Sequence, residues 1–207
     1  MISVHDISIQ FGEERVFEHL SCEVKRGDFA CITGVSGCGK SSLLKALIGL
    51  VPIGGGDIRI CGHDMNEKTC NIVRRAVMYL PQELSFPSET INEFVAHIQK
   101  VGRVKDVHKS IKQLYKNLSL LGLEKEILDK RMSEISGGQR QRLMLATLAL
   151  LDRELWLLDE PTAALDEASR DLVINFLRTK QQDGKTIVAV SHDVCFASHC
   201  STLIQLG

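Results

Sequence analysis

Gly34-Val35-Ser36-Gly37-Cys38-Gly39-Lys40-Ser41 decides the reading of this chain. The stretch fits the pattern G-x-x-x-x-G-K-[ST] without a mismatch, and Ser42 extends it. The apolar run Phe29 to Thr33 leads in, and a helical pattern from Ser41 to Leu50 leads out. In that setting glycines let the backbone close round phosphate groups with N–H donors inward. The start of the helix adds about half a unit of positive charge. Lys40 has the reach for β and γ phosphates, and the Ser41 hydroxyl suits a Mg²⁺ ion. Cys38 reads as a small filler within the loop.

A second pattern lies downstream. Leu155-Trp156-Leu157-Leu158-Asp159-Glu160 is an apolar run followed by two carboxylates. A buried strand would deliver Asp159 to the carboxyl edge of a sheet, beside the phosphate loop. Asp159 is then placed to hold Mg²⁺, directly or through water. Glu160 can orient or deprotonate an attacking water. Trp156, the only tryptophan, reads as a core residue.

The surrounding pattern predicts the architecture. Ile2 to Phe11 alternates apolar and polar, as a half-buried antiparallel strand does. Val16 to Val24 and Asp57 to Cys61 also read as strands. Helices are expected at Gly138 to Leu151 and Ala168 to Gln182, with strands at Leu155 to Leu158, Thr186 to Val190 and Thr202 to Leu206. Strands apolar on both faces, alternating with helices, indicate a parallel sheet covered on two sides. Residues 83–135 interrupt this with helices only. There Val107, Ile111, Leu114, Leu118 and Leu121 recur at helical spacing, which predicts an amphipathic helix from Asp106 to Leu121. The expected fold is α/β: a mainly parallel core sheet, an N-terminal antiparallel β subdomain, and an inserted helical subdomain at about 83–135, within one domain over 1–207.

Composition bounds the rest. The 207 residues are 44% apolar and 25% charged, which suits a folded domain and not a disordered chain. Formal net charge is −1, from 25 basic and 26 acidic residues, so the basic excess of a nucleic-acid-binding surface is missing. No apolar stretch approaches the roughly 20 residues of a membrane span, and the N-terminus does not resemble a secretory signal. An intracellular chain is expected. The 7 cysteines are scattered and odd in number, which suits reduced thiols.

Ile135-Ser136-Gly137-Gly138-Gln139, followed by Arg140-Gln141-Arg142, names a family. With the phosphate loop before it and Asp159 after it, the chain resembles the ATP-binding cassette family, specifically the nucleotide-binding subunit of transporters. The motif is similar to the family signature L-S-G-G-Q, with Ile for Leu. Physically, Ser136 and Gly138 at a helix start make an anion site. The resemblance implies that this site serves the γ-phosphate of ATP bound to another copy. Two copies would then form a head-to-tail homodimer on ATP binding. It also implies that Phe11 stacks on adenine and that Gln82 meets Mg²⁺ and the attacking water. Ala163-Ala164-Leu165-Asp166 resembles the D-loop, with Ala163 for the usual Ser. His192, in Ser191-His192-Asp193, resembles the switch histidine at the γ-phosphate.

Three kinds of protein share such motifs: a transporter ATPase subunit, a soluble cassette of DNA maintenance or translation, and an unrelated P-loop kinase. The signature motif and Glu160 argue against the kinase. Chromosome and repair relatives carry long coiled coils between the Gln82 and Ser136 positions, and only a short segment stands there. Translation relatives usually carry two cassettes. The expectation is therefore an ATPase with ATP and Mg²⁺ as cofactors, no nucleic-acid partner, and a transmembrane permease as partner. Such a protein would sit peripherally on the cytoplasmic face of the cell membrane. The stretch Glu83 to Phe94 is the expected docking region. Cargo selection belongs to the membrane partner.

Overall fold

The structure, a computed structural model, describes residues 1–83, 90–104, 106–163 and 165–206. Strands β1 (Ile2–Phe11) and β2 (Glu14–Val24) form an antiparallel hairpin, with Ile2 opposite Val24 and Phe11 opposite Glu14. β1 buries Ile2 and Val4, then Ile7 and Ile9. The step from 4 to 7 breaks strict alternation. Asp6 takes a left-handed φ of 52° there, and the pairing shifts register, so the bulge returns the apolar residues to the same face. β4 (Gly55–Ile60) pairs antiparallel with β1, and β5 (His63–Asp64) completes a sheet ordered β2-β1-β4-β5.

The second sheet is parallel, ordered β6-β7-β8-β3-β9. Its strands are β3 (Phe29–Gly34), β6 (Val77–Leu80), β7 (Leu155–Asp159), β8 (Thr186–Val190) and β9 (Thr202–Leu206). Every residue of β7 and β8 is buried, as a sheet covered on both faces requires. Alternate side chains go to opposite cores. Ala30, Ile32, Leu155, Leu157, Val188 and Val190 meet helix α1 (Lys40–Leu47) and the antiparallel sheet. Cys31, Trp156, Leu158, Ile187 and Ala189 meet α5 (Gly137–Leu148) and α6 (Glu167–Gln182).

Residues 90–135 hold α3 (Ile91–Val101), α4 (Val107–Leu120) and two short 3₁₀ turns. Helices are not all there is, because Thr90 and Arg131 form an antiparallel bridge. Leu114, Leu118 and Leu121 fall on the buried face, in the same apolar cluster as α5 and α6. Val107 does not; it is exposed at the first turn, just after the Asp106 cap.

Other expected boundaries shift at their ends. The helix expected to reach Leu151 stops at Leu148, continues as a 3₁₀ turn over Ala149–Leu151, and ends at Asp152 with φ 50°. The helix expected to reach Leu50 stops at Leu47, before Gly49 at φ 66°. Sequence patterning also passed over α2 (Cys70–Ala76), β6, and α7 (Val194–Ser198). The stretch Leu84 to Glu89 of the expected docking region and Ala164 of the D-loop motif lie outside the described residues.

Candidate functional site

Strands β3, β7 and β8 run parallel, so Gly34, Asp159 and Val190 end on one edge of the sheet. The phosphate loop leaves β3 at Gly34. A Cβ there would collide with the Leu206 carbonyl at the end of β9. The loop closes at Gly39, the N-cap of α1, at φ 96°. A Cβ at Gly39 would strike the Val16 and Phe17 side chains of β2, so only glycine fits the conformation and the space. No side chain caps α1. The N–H groups of its first turn, Lys40 to Ser42, have no intrahelical partners and are left to an outside acceptor.

Lys40 is 5% exposed. Its Nζ donates to the carbonyls of Gly34 at 3.0 Å and Val35 at 2.8 Å, so the ammonium is folded back into the loop. Ser41 Oγ donates to Asp159 Oδ1 at 2.8 Å. Asp159 is buried, and burial pushes its carboxyl above the ordinary range, against the opposing Ser41 bond and the charges of Lys45 and Lys40. The Tyr79 hydroxyl is buried without a hydrogen-bond partner among the described residues. Burial, aided by the charge of Asp159, pushes it up to about 12.

Glu160 takes a left-handed φ of 50°, a conformation that costs a non-glycine residue about 1–3 kcal/mol. Its N–H donates to Val190 O at 3.0 Å, and its carbonyl accepts from Gln141 Nε2 at 3.4 Å. Those bonds hold the turn and aim the carboxylate off the sheet edge. Oε1 is buried with no hydrogen bond among the described residues, and His192 Nε2 stands 3.3 Å away. Burial raises the Glu160 carboxyl, while the adjacent His192 opposes that rise.

These groups share one cleft of about 230 Å³, lined by Ser36, Gly37, Gly39, Lys40, Ser41, Ser42, Gln82, Glu160, Val190 and His192. A larger cavity of about 720 Å³ lies among α4, Trp156 and the end of α6, toward the opposite edge of the sheet and away from the phosphate loop.

Other residues expected at the site lie outside the cleft. Phe11 is 48% exposed at the hairpin tip. Ser136 and Gly137 are exposed at the start of α5, with Gly138 and Gln139 partly so. There Ser136 Oγ accepts from the Gln139 N–H at 3.1 Å, while Gln139 Oε1 accepts from the Ser136 N–H at 2.9 Å. Asp166 caps α6 by accepting from the Ser169 N–H at 2.7 Å, and that bond holds its carboxyl low. The sequence motifs give Gln141 no role of its own. It sits two residues past Gln139, on the signature helix, and its bond to the Glu160 carbonyl ties that helix to the turn that carries the carboxylate.

A phosphate loop at a parallel sheet edge, with a strand-end carboxylate bonded to its serine, defines a P-loop nucleoside triphosphatase. The ABC transporter family profile matches residues 17–163, and the chain belongs to that family. The zinc transport system ATP-binding protein TroB of Treponema pallidum is 30% identical over 199 residues, covering 93% of this chain and 73% of that protein. The phosphonates import ATP-binding protein PhnC of Trichormus variabilis is 33% identical over 195 residues, covering 88% and 78%. Among solved structures, a dimeric post-hydrolysis state of an ATP-binding cassette bound to ADP and Pi superposes with a TM-score of 0.88 at 25% identity. The match covers all of this chain and 94% of that one. The chain is thus an ATP-binding, ATP-hydrolysing cassette whose ATPase activity powers transport.

Proposed function

We propose that ATP lies with its phosphates over residues 34–42 and is hydrolysed at Glu160, in a dimer that drives a separate permease. The convergence of Lys40, Ser41, Gln82, Glu160 and His192 on one cleft carries this reading. Lys40 would exchange its two carbonyl partners for phosphate oxygens, a stronger charge-assisted contact. Glu160, desolvated and beside His192, orients water and takes its proton. His192 faces the terminal phosphate, and Phe11 offers its ring to the adenine.

The residues present fit a Mg²⁺ ion. Among the described residues no group of three His, Cys, Asp or Glu side chains could hold a metal. Ser41 Oγ and Asp159 Oδ1 are instead two hard oxygens already in contact, and Gln82 is nearby in the cleft. Mg²⁺ takes few protein ligands and completes its shell with phosphate oxygens and water. When bound, it neutralises charge on the β and γ phosphates.

Ser136 to Gln139 lie outside their own chain's cleft, exposed at a helix start. That placement supports their use on the nucleotide of a second copy, as does the dimeric state of the similar cassette. No helix among the described residues is long and apolar enough to cross a membrane, so a permease would hold the protein at the cytoplasmic membrane face. The helical subdomain at about 83–135 is the part that would meet the permease and move with it. Relatives of comparable identity serve zinc and phosphonate transport, so cargo choice is assigned to the permease.

ATP titration tests the site. Lys40→Ala should weaken ATP binding by tenfold or more and stop turnover, since each charge-assisted bond contributes roughly 1.5–3 kcal/mol. Unchanged affinity and turnover would remove the phosphate-loop reading.

A further inference from the structure

Arg170 stands in the first turn of α6, where its N–H donates to the Asp166 carbonyl at 2.8 Å. Its side chain is mostly covered, and its Nε is buried without a hydrogen bond among the described residues. Three carboxylates surround the guanidinium. Nη2 is 3.5 Å from Glu167, Nε is 3.6 Å from Asp171, and Nη1 is 3.6 Å from Asp193. The Glu167 and Asp171 side chains are 84% and 56% exposed, but that of Asp193 is only 28% exposed. Solvent screens the first two, so the Asp193 pair is the strongest of the three.

Asp193 divides its carboxylate between two neighbours. Oδ1 accepts from the N–H groups of Cys195 at 2.8 Å and Phe196 at 3.3 Å, which caps α7. Oδ2 is the oxygen that faces Arg170. On the other side of His192, the Ser191 N–H donates to Ile32 O at 3.4 Å, and Ser191 Oγ accepts from the Asp193 N–H at 3.1 Å. The turn carrying His192 is thus pinned to β3 at one end and to α6 at the other.

We propose that Arg170 is a positioning residue: it ties the turn 191–193 to the helix that Asp166 caps, and so sets where His192 stands against Glu160. The inference rests on the reading of His192 and Glu160 as the hydrolytic pair. It adds a link within one chain between the D-loop residue and the histidine. A shift of the Asp166 end of α6 would reach His192 through one side chain.

The test is a double-mutant cycle in steady-state ATPase assays, using Arg170→Met, Asp193→Asn and the double variant, with His192→Ala and Arg170→Lys alongside. Asn caps a helix as well as Asp does, so Asp193→Asn removes the ion pair and spares the cap of α7. Each single variant should lower kcat by on the order of fivefold, with KM for ATP within about twofold and Tm within about 4 °C. The double variant should fall no further than either single one. Arg170→Lys should recover part of the loss, since it keeps the charge without the fork. Multiplied losses of about 25-fold in the double variant would overturn the link. So would a kcat loss that follows a Tm drop of more than about 5 °C and is not recovered by Arg170→Lys. If His192→Ala keeps full turnover, the hydrolytic reading itself fails. If His192→Ala stops turnover while Arg170→Met leaves it intact, only the positioning inference fails.

Discussion

Replacing Glu160 by Gln keeps the side-chain volume and exchanges a buried carboxylate oxygen for an amide group. Glu160 is 9% exposed, and its Oε1 has no hydrogen bond among the described residues. If this oxygen takes the proton of the attacking water, kcat should fall by about 10²–10⁴, the usual worth of a positioned base. That is roughly 3–5 kcal/mol on the barrier. ATP affinity should stay within about twofold, because phosphate binding rests on the loop and on Lys40. Stability should move the other way. Burial raises the Glu160 carboxyl, so the folded chain holds that proton more tightly than the unfolded chain does. The group's contribution is therefore fully present below the unfolded carboxyl pKa and is lost as pH rises through the higher folded one. At neutral pH the wild type carries the cost of a desolvated charge, and Gln removes it. The half-exposed His192 contact returns little of that cost. A gain of about 1 kcal/mol would raise Tm by roughly 2–4 °C. The gain should shrink as pH falls through the folded carboxyl pKa and vanish below the ordinary glutamate value of about 4.3, where the wild-type group is neutral in both states. Asp159 is raised by burial too, and losing the neighbouring Glu160 charge eases its ionisation, which adds to the gain at neutral pH. Single-turnover ATP hydrolysis and differential scanning calorimetry at several pH values measure both effects. Full turnover in the variant, or a Tm that falls with no change in pH slope, would refute the reasoning.

Three further outcomes follow from the geometry. Gly39→Ala forces a Cβ against Val16 at a φ of 96°, so Tm should fall by several degrees and ATP binding by more than about tenfold, read by calorimetry and equilibrium titration. Ser136→Arg leaves the chain's own cleft untouched, so ATP titration should show near-normal affinity while turnover is lost; normal turnover would argue against a composite site. Asn117 is fully buried, and its Nδ2 donates to Ala146 O at 3.0 Å, joining α4 to α5. Asn117→Ala should cost about 1–3 kcal/mol, seen as a lower denaturant midpoint with unchanged ATP affinity.

Part of this protein is legible residue by residue. The loop 34–42 is carried by glycine spacing, and the strand ending in Asp159-Glu160 by an unbroken apolar run. Both are local signals, and the structure brings Ser41 and Asp159 within 2.8 Å of each other. The lobe helix α4 was readable from its period, but not its phase at Val107, where the cap at Asp106 turns the first residue toward solvent. β6 is four residues long and pairs with β7, too short for any period to declare itself.

The amino-acid sequence by itself determined the chemical parts: a phosphate loop, two strand-end carboxylates, a signature motif at a helix start and a histidine after an apolar strand. Tertiary structure alone decided how they meet. The order β6-β7-β8-β3-β9 puts the ends of three distant strands on one edge, and no local pattern encodes which strand lies beside which. That packing strips water from Glu160. It also leaves Ser136 and Phe11 outside the cleft and brings Arg170 to Asp193. Each of these depends on burial and on contacts between residues far apart in the chain, which exist only once the sheet has assembled.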